Sequence, residues 1–529
     1  MITFDPVLVH EWLRRTARRT PERTAVVCGD QRASYADVDR LSDRMARSLM
    51  ECGVRRGDRV VILLDTSVET IVAIYGVLKA GAVFVALEGS VKAPKLAYVL
   101  ADCAARVLVT HTTKQRVVAD CADRFPDVWC DAVIWTGSGG SPDGVRMGMS
   151  RSWDWAVDER HDAHIPDPPR VIDVDLAALI YTSGSTGEPK GVMSTHRNMV
   201  SAARSIIEYI ENDPDDVILV PLPLSFDYGL YQVLMAFMFG GTVVLETFFM
   251  YPETVLRTIE RERITGLPIV PTIAAMLLRL QDLPRRQLAS LRYITNTGAA
   301  LPVEHIKRLR EMLPNVRMYS MFGLTECKRV CFLPPDQLDL RPASVGKAIP
   351  NCETLIVDEN GAPVAPGESG ELVVRGSNVM QGYWHAPDAT RHAYRQGDYP
   401  DDRRLHSGDY FRTDEEGFLY FLGRRDDLIK SRGERISARE VENVLCMMEG
   451  ISEAAVVGVP DDVMGQAVKA FVVPADGSAI AERLVLRHCR ANLESFMVPK
   501  YVHIVDTLPR TPHGKVDKRT LGITGVTQQ

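Results

Sequence analysis

The sequence predicts an α/β fold, on three observations. Helical and strand-like apolar patterns alternate from the start of the chain. Apolar residues make up 46% and charged residues 25%, the balance of a globular protein able to bury several cores. Between Glu353 and Gly423 the alternation gives way to short strands broken by turn signals. At 529 residues, length alone suggests three or four units.

The elements follow in order. Val38, Leu41, Met45 and Leu49 recur at helical spacing behind Ser34, an N-cap with Asp37 three residues on. Val60–Leu64 is a short apolar run of strand type, Ser67–Leu78 a helix, Ala82–Leu87 the next strand and Val107–Val109 another. This βαβ rhythm predicts a parallel sheet covered by helices. A similar rhythm runs from residue 171 to about Met318. The turn signals of the β-rich part are Asp358-Glu359-Asn360-Gly361, Pro366-Gly367 and Glu415-Glu416-Gly417. The last hundred or so residues read as a small α+β unit: a helix from Ala438, a strand at Ala454–Val459 and a helix over Ile480–Leu493.

Lys and Arg number 62 against 69 Asp and Glu, a net of −7 without long blocks of one sign, so no nucleic-acid or anionic-membrane surface is expected. The start lacks a basic and apolar leader, and no run is long enough to cross a bilayer; a cytoplasmic protein is expected. Ten cysteines are scattered singly, and Cys327 with Cys331 read as unpaired thiols.

Chemistry concentrates first at Tyr181-Thr182-Ser183-Gly184-Ser185-Thr186-Gly187-Glu188-Pro189-Lys190-Gly191. Glycines let a backbone approach a polyphosphate, hydroxyls donate hydrogen bonds and Lys190 supplies charge. The spacing fails the Walker pattern, so a P-loop hydrolase fits poorly, and a plain surface loop is the bland alternative. Further on, Thr325-Glu326 follows an aromatic and a glycine, a place for a carboxylate to hold a hard cation such as Mg²⁺ beside phosphates. Asp409, Tyr420, Arg424, Asp426, Lys430 and Gly433 come next, and Lys515 lies in a turn of the last segment.

With these motifs in order over nearly the whole chain, from Leu78–Leu87 to Lys515, the sequence resembles the adenylate-forming superfamily: acyl-CoA synthetases, peptide-synthetase adenylation domains and firefly-type luciferases. The resemblance implies a large N-terminal domain, residues 1–424, of stacked mixed sheets with helices and a β-rich subdomain. A small mobile α+β domain, 427–529, would follow a hinge at Asp426. It further implies that Thr182, Ser183, Gly184, Ser185, Thr186, Gly187 and Lys190 hold the phosphates of ATP and that Glu326 binds Mg²⁺. Asn296, Thr297, Gly298 and Ala299 would lie along the adenine, with Thr297 also touching the acid, and Phe322, Thr325 and Tyr420 would belong to the nucleotide site. Asp409 and Arg424 would take the ribose. Lys515 would bridge the acid's carboxylate and the α-phosphate during adenylation. Peptide-synthetase members place Asn two residues before the aromatic-Gly-x-Thr-Glu core, where this sequence has Ser320.

For the acid, Asp227 stands where amino-acid-activating members hold the substrate ammonium; its plain alternative is a cap on the helix starting near Tyr228. Lys328 and Arg329, after Thr325-Glu326, border the acid pocket by the same resemblance, and a cation there can grip a second carboxylate. These features lead to an expected AMP-forming ligase that loads an amino acid, β-amino or aspartate-like, onto a discrete carrier protein. The alternative is an acyl-CoA synthetase for a fatty or aromatic acid.

Overall fold

Ser34 closes a capping box: its hydroxyl accepts from the Asp37 N–H at 3.1 Å, and the Asp37 carboxylate accepts from the Ser34 N–H at 3.1 Å. The helix Tyr35–Glu51 starts there and buries Val38, Met45 and Leu49. Its neighbour is Val68–Lys79, capped by Ser67. The two approach so closely that a Cβ at Gly76 would stand 2.4 Å from Met45 Cγ. The computed structural model describes residues 5–138, 145–162, 169–183, 189–246, 252–280, 288–298, 301–400, 402–424, 429–431, 434–461, 465–475, 478, 480–493, 497–511 and 516–523.

The rhythm resolves into two mixed sheets, mostly parallel, as the expected stacked mixed sheets require. One has seven strands, in the order Met149–Ser152, Ala132–Thr136, Ala105–His111, Arg59–Leu63, Val83–Leu87, Leu176–Ser183 and Pro189–Thr195. The other has nine, running Lys347–Ala348, Cys331–Leu333, Arg317–Phe322, Tyr293–Asn296, Gly266–Ile269, Val217–Val220, Thr242–Leu245, Thr24–Cys28 and Gln31–Ser34. The first hairpin of the chain thus leaves its sequence neighbours and pairs in parallel with Thr242–Leu245. Helices Val68–Lys79 and Asp227–Phe239 belong to the core shared by the two sheets, with Tyr75 and Phe237 ring centroids 5.2 Å apart. Both are buried nearly all round, which explains why neither shows a polar face.

Val217–Val220, Gly266–Ile269, Tyr293–Asn296 and Arg317–Phe322 are mutually parallel neighbours, so their C-terminal ends share one edge of the nine-stranded sheet. The segments leading to Asp227, Thr297-Gly298 and Thr325-Glu326 leave from that edge, where open α/β sheets form crevices.

The β-rich part is an antiparallel sheet built from Cys352–Val357, Ser369–Gly376, Arg403–Thr413, Tyr394–Gln396 and Leu419–Arg424. Its turns fall on the signals read from sequence: Asp358 accepts from the Asn360 and Ala362 N–H groups, and Gly361 and Gly417 have positive φ. In the C-terminal part, Ile429–Ser431, Glu434–Ile436, Ile451–Asp461, Gly465–Pro474 and Tyr501–Ile504 form a sheet flanked by helices Ala438–Cys446 and Glu482–Asn492. It has its own core around Val441, Leu445, Val456 and Val468. All ten cysteines are unpaired, and no helix among the described residues is long and apolar enough to cross a membrane.

Candidate active site

Thr182 and Ser183 end one strand of a hairpin whose other strand begins at Pro189, with Thr182 opposite Lys190. Gly184, Ser185, Thr186 and Gly187 fall between the two strands and lie outside the described residues, as do Ala299, Asp426, Gly433 and Lys515. Pro189–Thr195 is the edge strand of its sheet, and residues 381–384 run along its open side. Gln381 N–H donates to Met193 O at 2.9 Å, Met193 N–H to Gly382 O at 2.9 Å, and Trp384 N–H to Gly191 O at 2.7 Å.

That pairing delivers Tyr383. Its hydroxyl donates to Glu326 Oε1 at 2.7 Å, and the Lys190 ammonium lies 5.5 Å from its ring centroid. Burial, then the Glu326 charge, pushes the Tyr383 phenol well above its ordinary pKa, so it stays a donor. The segment bearing Glu326 is pinned from behind. Asn378 Nδ2 donates to Cys327 O at 2.9 Å and Arg329 O at 2.8 Å, while Met380 N–H donates to Glu326 O at 2.9 Å.

Lys328 adopts φ +64°, a left-handed conformation that a side-chain-bearing residue enters at a cost of about 1 kcal/mol. This turn accompanies Lys328 and Arg329 as they go into the interior, where they are 5% and 4% exposed. Lys328 Nζ reaches 3.7 Å from Asp227 Oδ2 and 5.2 Å from the Tyr231 ring centroid. Burial pushes its pKa below the ordinary lysine value, opposed by Asp227 and then Glu326. The Arg329 guanidinium lies 5.4 Å from the Tyr228 ring centroid. Asp227 itself opens the helix Asp227–Phe239; the N-cap residue is Phe226, with no side-chain cap hydrogen bond. The capping alternative read from sequence is therefore not what the structure has. Gly298, at φ +83°, faces Phe226: a Cβ there would meet the ring at 3.3 Å.

On the β-rich side, Asp409 pairs across strands with Arg424, whose Nε lies 3.5 Å from its carboxylate; Asp409 is 3% exposed. Phe322 packs edge-on to Phe411 at 4.9 Å and stacks on Phe421 at 5.6 Å. Tyr420 donates its hydroxyl to Asp414 at 3.0 Å, in a cluster with Arg341 rather than with Glu326. Asn296 is buried at the end of its strand, followed by buried Thr297; Thr325 is half-buried beside Glu326.

The residues that sequence reasoning missed are Tyr383 and Asn378. Both belong to Asn378-Val379-Met380-Gln381-Gly382-Tyr383-Trp384, where an Asn before an aromatic pair was the one available signal.

The strand C-termini, Lys190 on its edge strand and the braced Glu326 carboxylate lie within a fold that comparison with known proteins shows to be shared. Residues 13–384 match the AMP-binding enzyme family, and 440–515 match the AMP-binding enzyme C-terminal domain. The chain is 36% identical over 517 residues to feruloyl-CoA synthase from Amycolatopsis, covering 96% of this chain and 97% of that protein. It is 30% identical over 521 residues to a component of the linear gramicidin synthase of Brevibacillus parabrevis, across 97% of this chain but 6% of that protein. Among solved structures, the anthranilate CoA ligase AuaEII with anthranoyl-AMP superposes with a TM-score of 0.88 at 26% identity, over 98% of both chains. The protein belongs to the AMP-binding enzyme family, within the adenylate-forming superfamily, and is an AMP-forming acid–thiol ligase that uses ATP.

Proposed function

We propose that the protein converts an aromatic carboxylic acid into its CoA thioester through an acyl-adenylate. The observation that carries this is the 3.7 Å approach of the Lys328 ammonium to Asp227. The carboxylate that sequence reading assigned to a substrate ammonium already has a buried cation, so an amino group on the substrate would compete with it. Phe226, Tyr228 and Tyr231 suit a flat ring. Relatives named for feruloyl and anthranilate thioesters lend support.

In this reading the acid's carboxylate attacks the α-phosphorus, and pyrophosphate leaves. Both reactants are anions, so the site has to neutralise charge and hold them in line. Lys190 and the hairpin residues Thr182–Gly187 take the outer phosphates, and Asp409 with Arg424 the ribose. Asn296–Ala299 are the sequence-derived candidates for the base, and Phe322 and Tyr420 for the nucleotide more broadly. Glu326, whose Oε1 accepts from Tyr383, would hold Mg²⁺, which when bound would supply charge neutralisation on the phosphates. Lys515 bridges the acid and α-phosphate, then leaves as its domain turns at Asp426, making room for the thiol that expels AMP.

The test is acid- and CoA-dependent AMP release over aromatic acids, fatty acids and α- and β-amino acids. Turnover confined to amino acids with a carrier protein, and none with CoA, would sink the proposal. Loading an amino acid onto a discrete carrier is the second reading, favoured by the gramicidin synthase similarity.

A further inference from the structure

Around Asp227 the interior holds more positive charge than it uses. Lys328 and Arg329 are both more than nine-tenths buried, and Lys328 Nζ and Arg329 Nε have no hydrogen-bond partner among the described residues. Asp227 is the one carboxylate within 4.0 Å of either cation among the described residues, and it faces Lys328. The Tyr228 ring and the Tyr209 hydroxyl compensate the Arg329 charge in part, but a ring face and one phenol do not satisfy every N–H in the guanidinium plane. Hydroxyls of Ser225, Tyr231 and Thr297 are likewise buried without partners among the described residues. Buried donors left unmatched in a folded protein are uncommon and call for an explanation. A planar guanidinium matches a carboxylate in two parallel hydrogen bonds.

The reacting carboxylate does not supply this acceptor. It has to meet the phosphates on the Glu326 and Lys190 side, whereas Lys328 and Arg329 lie against Tyr231 and Tyr228 of the helix Asp227–Phe239. We infer that the acid substrate carries a second carboxylate, received by Arg329 with Lys328 and the neighbouring hydroxyls beside the helix Asp227–Phe239. This rests on the aromatic-acid reading above. It makes Arg329 the residue that sets substrate preference.

The experiment compares matched acids with the full-length protein, ATP, Mg²⁺ and CoA: cinnamate, 4-hydroxycinnamate and 4-carboxycinnamate, and hexanoate against adipate. The readout is kcat/KM for AMP release. In each set the dicarboxylic acid is expected to exceed its parent by about tenfold or more, the value of one charge-assisted hydrogen bond. Arg329→Met should bring that ratio to near one, and Arg329→Lys should restore part of it, with melting temperatures measured for both. Should Arg329→Met fail to fold, the wild-type ratios and Arg329→Lys still decide. Parent acids used as well as their dicarboxylic partners would overturn the inference and leave thioester formation standing. Preference for the hydroxy acid over the carboxy acid would overturn it in favour of a neutral acceptor. Absence of CoA-dependent AMP release with every acid would bring down the reading beneath it.

Discussion

Tyr383 donates a 2.7 Å hydrogen bond to Glu326 while the Lys190 ammonium lies 5.5 Å from its ring centroid, so one phenol contacts both the carboxylate and the cation. Partners that orient metal-binding carboxylates typically contribute 10- to 100-fold to affinity or activity. Tyr383→Phe should therefore lower ATP/pyrophosphate exchange by roughly 10-fold and raise the Mg²⁺ concentration for half-maximal exchange. Glu326→Gln, which keeps the hydrogen bond and removes the charge, should lose more. A Tyr383→Phe enzyme with unaltered Mg²⁺ dependence would leave the tyrosine a packing residue.

The Asp227–Lys328 pair makes a second prediction. Removing one member of a buried ion pair strands the other and costs about 3–5 kcal/mol. Lys328→Met should lower stability by that order, and Asp227→Asn on top of Lys328→Met should recover much of it. Urea unfolding of the two single variants and the double variant measures the coupling; strictly additive losses would mean that the pair does not interact.

Lys515→Ala should depress adenylation on the order of 10²- to 10³-fold, the effect of deleting one preorganised charge-stabilising donor. Thioester formation from supplied acyl-adenylate should suffer far less. Measuring both half-reactions on the same preparation decides, and equal losses in the two would remove the assigned role.

Acid should weaken the fold through His196. Burial pushes its pKa from 6.5 down to about 4, Asp175 and Asp173 opposing, and its Nδ1 accepts from the Val9 N–H at 3.2 Å. His10, whose ring centroid is 5.7 Å away, is pushed down as well, by burial and then by His196. The unfolded chain takes up a proton near pH 6.5 and the folded one near 4, so the unfolded state binds more protons between those values and stability is lost as pH falls through that range. From pH 7 to 5 the His196 contribution to the loss is roughly 2 kcal/mol. His196→Gln should flatten the dependence of the unfolding midpoint on pH; an unchanged slope would assign the acid sensitivity elsewhere.

Local chemistry was legible in the sequence where neighbours in the chain decide the outcome. The Ser34–Asp37 capping box, the Asp358–Gly361 turn and the Ala438 helix each rest on residues within a few positions of one another. The motif order was legible for the same reason, since Thr325-Glu326 and the glycine-rich hairpin are contiguous. What sequence could not give was partnership across the chain. Lys328 meets Asp227, and Tyr383 meets Glu326, through the register of sheets that no single segment encodes. The distant pairing of Thr24–Cys28 escaped for a related reason: the segment carries the same apolar signature whether it joins its sequence neighbours or a distant strand. The longer C-terminal strand, Ile451–Asp461 against the expected Ala454–Val459, reflects a ladder with Gly465–Pro474 that extends past the apolar run.

The placement of Thr24–Cys28 also sets an order of events on the ribosome. Its parallel partner, Thr242–Leu245, is made only about two hundred residues later, a delay of roughly ten to forty seconds at usual elongation rates. Until then the strand, paired on one side with Gln31–Ser34, keeps its other edge without its native partner, and any polypeptide released before Thr242 never acquires it.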